Sequence, residues 1–350
     1  VRQIRENRKE GENVHDKLNR LRERADELEM CIRTSLFNEA RVVACTLVGS
    51  ANKILVGHNF STIFIDEAAQ ALEAACWIGI RRANRVVFAG DHHQLPPTIK
   101  NYDAARQGLA ITLMERIVCN QPEVVTLLKV QYRMNDAIIQ FSSKWFYDGK
   151  VESAPEVTGR SVLDLDTPMM WIDTSNPEVR NKYQLLMNSG QFGEELMNDK
   201  VDFSEQYVGE NHGRINKTEA ELTLKVLSEY IEKIGRQRFI DERFDVGIIS
   251  PYKVQTQYLR SLVKRNKSFK PFRSLITINT VDGFQGQERD IMLISLVRSN
   301  ENGQIGFLSD LRRMNVAITR ARMKLIIIGD VATLSHHPFY RKLYEYVGSL

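Results

Sequence analysis

Short apolar runs, each closed by a polar turn, set the plan of this chain. Runs at 40–46, 61–65, 85–90, 124–130, 170–174, 244–250, 276–280, 291–296 and 323–328 have the length and the branched apolar content of buried strands. Between them, segments at 68–80, 109–118, 216–235 and 255–264 read as helices, and 338–350 as a closing helix. Strands alternating with helices over 40–330 predict an α/β architecture with parallel sheets flanked by helices. Residues 1–39 differ. They are densely charged, from Arg5 onward, and Leu18, Leu21, Ala25 and Leu28 recur at spacings of three and four. That is a narrow apolar stripe on a long helix, a solvated stalk whose Lys, Arg and Glu side chains can pair four residues apart. In the helix opening at Asn216, Thr218 is the expected N-cap, with Glu219 and Glu221 in the first turn. Residues 175–214 are polar, rich in Asn, Gly and Glu, and read as an insertion to which no function is assigned.

The candidate chemistry sits in the polar turns. The run Ile63-Phe64-Ile65 ends in adjacent carboxylates, Asp66 and Glu67. The carboxyl ends of buried parallel strands are where α/β proteins bind ligands. An Asp there can hold Mg²⁺, and a neighbouring Glu can orient a water or take its proton. One acidic pair alone is more simply a strand that stops at a polar turn. Its company changes that reading. Arg85–Gly90 runs into Asp91-His92-His93-Gln94-Leu95-Pro96-Pro97. Thr280-Val-Asp282-Gly283-Phe284-Gln285-Gly286-Gln287-Glu288 follows another strand, and Arg312-Arg313-Met-Asn315 leads to Thr319-Arg320-Ala321-Arg322. Carboxylates, amides and arginines at several strand ends are the inventory of a nucleotide site. His92 and His93 invite a metal reading, but no Cys or carboxylate cluster completes one. A two-metal nuclease built on Asp66 and Glu67 lacks the further carboxylates it needs.

Composition narrows the class only a little. The 350 residues allow about two domains, and 43% hydrophobic with 26% charged residues is ordinary for a globular protein. A net charge of +4 permits an anionic partner without demanding one. Four scattered cysteines, with no metal-type spacing, fit a reducing compartment, and a cytoplasmic, monomeric protein with no membrane partner is expected.

Taken in order, the polar clusters resemble the motifs of superfamily 1 helicases, in the branch of the nonsense-mediated-decay helicase and senataxin. Asp66-Glu67-Ala68-Ala69 matches motif II, Gly90–Pro97 motif III, Gln131-Tyr132-Arg133-Met134 motif IV, 280–288 motif V and 312–322 motif VI. The resemblance covers roughly residues 40–335. It implies a partial first RecA-like domain at 40–120 behind the stalk at 1–39. A complete second RecA-like domain follows at 121–350, carrying the insertion near 175–215. It implies ATP with Mg²⁺ on Asp66 as cofactors and single-stranded DNA or RNA, travelled 5′ to 3′, as partner. Among the catalytic groups, Glu67 would activate water, Gln94 would sense the γ-phosphate, and Arg133 and the finger Arg320 would clamp it. Tyr132 would stack on adenine, Glu288 would accept from the ribose, and Gly286 would lie near the γ-phosphate. Thr46, Gly49, Ser50, Pro97, Thr280, Ser295, Arg298 and Ser299 would line the nucleic-acid path.

One motif is missing. No Gly-Lys-Ser or Gly-Lys-Thr occurs in the sequence; the only Gly-Lys, at 149–150, is followed by Val151. A P-loop should precede motif II. The expectation is therefore a C-terminal part of a longer ATPase, hydrolysing ATP barely or not at all by itself. The alternative is a catalytically silent nucleic-acid-binding module.

Overall fold

The computed structural model describes residues 14–188, 202–209 and 213–350. The charged run before residue 14 and the middle of the polar stretch, 189–201 and 210–212, lie outside the described residues. The chain falls into two compact units: Val1–Ile63 with Ala74–Val86, and Phe64–Glu73 with Val87–Leu350.

The smaller unit opens with the expected long helix, Val14–Glu39. Leu21 and Leu28 of its apolar stripe are exposed. The run 40–46 is not a strand, against expectation. It joins no ladder among the described residues, and Val42 is 84% exposed. Strand β1 (Phe60–Ile65) pairs with β2 (Ala83–Phe88) in a two-stranded sheet. The boundary between the units runs through both strands, so their carboxyl ends and the turns beyond belong to the larger unit. Between them, the expected helix at 68–80 is a short 3-10 turn at Ala68–Gln70 and an α-helix at Glu73–Ile80.

The larger unit is built on a five-stranded, all-parallel sheet of β5 (Met169–Asp173), β8 (Val246–Ile249), β9 (Ile276–Asn279), β10 (Arg289–Ser295) and β11 (Ala321–Gly329). Their order is β5-β11-β10-β8-β9. Two short pairs stand apart: β3 (Val130–Gln131) with β4 (Glu152–Ser153), and the antiparallel β6 (Gln206–Val208) with β7 (Gly213–Ile215). The run 124–130 is a strand only at its end, because Pro122 starts a 3-10 turn through Val124.

Both faces of the sheet are covered, so its strands are apolar on both sides. Met292, Ile294, Leu325 and Ile327 face one core, with the helices Asp136–Phe146, Leu311–Ile318 and Pro338–Gly348. Ile291, Leu293, Ile326 and Ile328 face the other, with Lys217–Ile234 and Lys253–Arg265. Adjacent residues go to opposite layers, as the two-residue period of a strand requires. This is the parallel sheet flanked by helices that a RecA-like fold predicts. The N-cap of Lys217–Ile234 is Asn216, whose Oδ1 accepts from the Glu219 N–H at 2.9 Å, and not Thr218. The helix expected at 109–118 runs Leu113–Asn120 behind a capping box made by Thr112 and Glu115.

Candidate nucleotide and nucleic-acid sites

The site begins with a tight turn. After β1 the chain reverses at Glu67, whose φ of 50° is left-handed and uncommon for a residue with a side chain. Asp66 Oδ1 accepts from the Glu67 N–H at 2.9 Å, and Ala68 N–H donates to Ala89 O at 2.9 Å, fastening the turn to the end of β2. The fit leaves no room for a side chain at Gly90, where a Cβ would lie 3.0 Å from Ala68 N. Both carboxylates are exposed at the sheet's carboxyl edge. Glu67 Oε2 accepts from Gln70 Nε2 at 2.8 Å and from Gln285 Nε2 at 3.4 Å, so motifs II and V meet on this carboxylate.

The motif III loop is folded around Asp91. Its Oδ1 accepts from His93 N–H at 2.9 Å, and its Oδ2 accepts from Gln94 Nε2 at 2.8 Å. With the amide nitrogen so engaged, Gln94 Oε1 turns to Arg320, whose Nη2 donates at 3.4 Å. Arg320 follows the helix Leu311–Ile318 and is only 3% exposed. It also donates to Val316 O at 3.1 Å and Gln287 O at 3.4 Å. Its pKa is held down to about 10, first by burial and next by the charge of Arg133, while Glu67 and Glu288 pull it back up.

Arg133 sits on a turn held by Gln131, whose Oε1 accepts from the Arg133 and Met134 N–H groups at 2.7 and 2.8 Å. Its guanidinium pairs with Glu288 Oε2 at 2.5 Å and donates to Thr319 O at 3.2 Å. Glu288 also faces Arg322, 3.6 Å away, and Arg322 pairs with Asp290 at 2.6 Å. Tyr132, beside Arg133, is 64% exposed. Motif V turns through a 3-10 segment, Asp282–Phe284, anchored by the buried Phe284. A Cβ at Gly283 would overlap the Asn279 carboxamide, so a larger residue there would have to displace that side chain. Gly286 has a φ of 69°. Asp66, Glu67, Gln94, Arg133, Arg320 and Glu288 thus belong to one connected set of side chains and turns within the larger unit.

Mg²⁺ suits this donor set. Asp66 Oδ2 has no partner among the described residues, and Mg²⁺ commonly takes one or two carboxylates, completing its shell from substrate phosphates and water. No group of three or more His, Cys, Asp or Glu that could hold a metal ion occurs among the described residues.

The expected nucleic-acid residues are placed less uniformly. Thr46 is exposed and its Oγ1 accepts from the Gly49 N–H at 3.0 Å. Ser50 is buried and donates to Leu47 O at 2.5 Å. Pro97 is buried and Thr280 half-buried. Three further side chains of this set are turned inward as placed. Ser295 is buried, its hydroxyl donating to Glu219 Oε1 at 2.6 Å. Arg298 is 2% exposed and pairs with Glu205 at 2.7 Å. Ser299 donates to Asp330 Oδ2 at 2.5 Å. As placed, these three side chains serve an internal polar network instead of offering free donors to phosphate. A strand end looks the same in sequence whether its polar groups face solvent or a second buried carboxylate.

Residues not singled out as functional also shape the site. Tyr147, Asn315 and Asp91 form a hydrogen-bonded group beside Gln94. Asp91 and Asn315 lay within the quoted motifs, whereas Tyr147 carried no local signal. Arg312, Arg313 and Arg322 make ion pairs with Glu115, Asp310 and Asp290.

Comparison with known proteins agrees with the motif order. Two family models match, each described as an AAA domain, over residues 2–102 and 109–332. An ATP-dependent helicase of Methanocaldococcus jannaschii is 34% identical, with 95% of this chain and 45% of that protein covered. The chain belongs to this AAA-domain family of superfamily 1 helicases. Within the family, DNA-binding protein SMUBP-2 of Mesocricetus auratus is 33% identical over 97% of this chain and 32% of its own length. The regulator of nonsense transcripts 1 homolog of Neurospora crassa is 35% identical over 88% of this chain and 26% of its own. The chain therefore spans less than half the length of these relatives. No helix among its described residues is long and apolar enough to cross a membrane.

Proposed function

We propose that the protein is an ATP-driven translocase on single-stranded nucleic acid, cytoplasmic and active as a monomer, with hydrolysis at the Asp66–Arg320 site. The observation that carries this reading is Arg320. It is a buried cation crowded by Arg133 and bonded to the Gln94 amide, in a cluster where the Glu288 carboxylate is already shared between Arg133 and Arg322. An incoming triphosphate would relieve that crowding, and charge developing on its transferring group would be met by groups already in place.

The placements support the following roles. Asp66 is the residue to hold Mg²⁺, which neutralises charge on the phosphate oxygens. Glu67, propped by Gln70 and Gln285, orients the attacking water. Gln94 reports the γ-phosphate to the motif III loop. Arg133 exchanges Glu288 for phosphate, freeing that carboxylate to accept from the ribose. Tyr132 offers an exposed ring to the base, and the left-handed Gly286 lets backbone approach the phosphates. Thr46, Gly49 and Thr280 remain the candidates for the nucleic-acid backbone, which is read through phosphate and sugar.

A second reading, a silent nucleic-acid-binding module, is favoured by one observation: no Gly-Lys-Ser/Thr occurs in the sequence. Steady-state ATP hydrolysis, with and without single-stranded DNA or RNA, separates the two. It should be run on this chain and on the protein extended upstream through any P-loop. Stimulated turnover in the extended protein, with almost none in the 350-residue chain, is the expected result. Strand binding without turnover in either form would favour the module.

A further inference from the structure

We propose that Tyr147 is a positioning residue for Gln94, and that its hydroxyl governs the rate of nucleotide hydrolysis without touching the nucleotide. The inference rests on the enzymatic reading above. Tyr147 caps the helix Asp136–Phe146, far in sequence from either motif it serves. Its hydroxyl donates to Asp91 Oδ2 at 2.6 Å, a length typical of a charge-assisted bond. The same oxygen accepts from Asn315 Nδ2 at 2.8 Å, and that amide also donates to His93 O at 3.0 Å.

The polarity of these bonds is fixed by chemistry. An amide nitrogen can only donate, so the Tyr147 proton must point at Asp91. Burial and the Asp91 charge push the phenol pKa up, so the proton stays. Asp91 is left as a pure acceptor, and it draws in Gln94 Nε2 at 2.8 Å. A glutamine carboxamide is nearly symmetric in shape but not in polarity. With its nitrogen held by Asp91, only its oxygen can face Arg320, and that is the orientation found. Two donor arms, Asn315 through Tyr147 and Arg320 through Gln94, converge on the Asp91 carboxylate, and their outer residues lie on and just after the helix Leu311–Ile318. Bonds aligned along each arm strengthen one another. Without the phenol, Asp91 keeps only donors from its own loop, and the carboxylate that decides the Gln94 orientation is no longer fixed from outside that loop.

The test is Tyr147→Phe in the full-length protein, with nucleic-acid-stimulated kcat and KM for ATP measured beside Asp91→Ala and the double variant. The phenyl ring retains the edge-on contact with His93, whose ring centroid is 5.3 Å away. We expect kcat to fall about tenfold and KM to stay within about twofold, the pattern of a group that acts on the transition state and not on binding. The double variant should lose little more than the worse single variant, because the two residues act through one bond. Unchanged kcat in Tyr147→Phe, or losses that simply multiply, would overturn the inference while leaving the enzymatic reading intact. Absence of turnover in the unmodified protein would remove the enzymatic reading, and this inference with it. Should Tyr147→Phe fold poorly, Asn315→Asp, which removes the donor that orients the phenol, carries the same kcat-against-KM test.

Discussion

Tyr132 shows how far a single residue can be read from its surroundings. Its ring is exposed beside an arginine whose guanidinium is already bonded to Glu288 and to Thr319 O. It supports no core, so Tyr132→Ala should leave thermal stability unchanged and raise the KM for ATP about tenfold or more, the loss expected for one base stacked on an aromatic ring. An unchanged KM would mean that the base sits elsewhere. Glu219 makes the opposite point. In sequence it was a first-turn acid complementing a helix dipole. In the fold it is fully buried, Oε1 accepting from Ser295 Oγ and the Val297 N–H, with Oε2 unpartnered. Burial pushes its pKa from 4.5 up to about 8. Between those values the folded protein keeps a proton that the unfolded chain releases, so stability falls as pH rises through this window. Glu219→Gln should flatten that slope in urea unfolding at pH 5 to 8; parallel curves for the two proteins would contradict the assignment. The candidate residues Asp66, Glu67, Gln94 and Arg133 were legible because each follows an apolar run, whereas Arg320 follows a helix and was legible only through its motif. Ser295, Arg298 and Ser299 stand at the end of such a run too, yet face inward, because Glu205, Glu219 and Asp330 arrive from distant segments that local sequence does not connect.

At the scale of elements, the sheet was the readable part. Strands β5, β8, β9, β10 and β11 fall where the apolar runs do, because burial on both faces writes itself directly into composition. The run 40–46 has the same composition and forms no strand, since pairing depends on a neighbour and not on the run itself. Caps were partly legible. Asn216 and Thr218 are both good capping types, and the choice between them turned on Asn216, whose amide also donates to Val297 O at 3.3 Å and whose N–H bonds Gln255 at 3.0 Å. The Thr112–Glu115 box was not foreseen. It has two reciprocal bonds, from Thr112 N–H to Glu115 Oε2 at 2.8 Å and from Glu115 N–H to Thr112 Oγ1 at 3.1 Å. Glu115 also pairs with Arg312 of motif VI at 2.7 Å. Thr112→Ala should cost about 1 kcal/mol in chemical denaturation, the usual loss for a removed N-cap. A loss near zero would mean that the helix Leu113–Asn120 is held by its packing alone.

For the whole molecule, family membership and the local geometry point the same way. Two AAA-domain matches span most of the chain, and the larger unit gathers motifs II to VI around one set of carboxylates, amides and arginines. Relatives bearing names from both DNA binding and nonsense-transcript regulation leave the choice of polymer to the stimulation assay. The central claim is that Arg320 meets charge developing on a transferring phosphoryl group. The most direct test is kcat for ATP hydrolysis at saturating single-stranded nucleic acid in the full-length protein and its Arg320→Ala variant. A fall of roughly 10³-fold or more, with nucleotide still bound, is the result this account predicts. A kcat within a few-fold of the unmodified protein would contradict it and assign Arg320 to the fold alone.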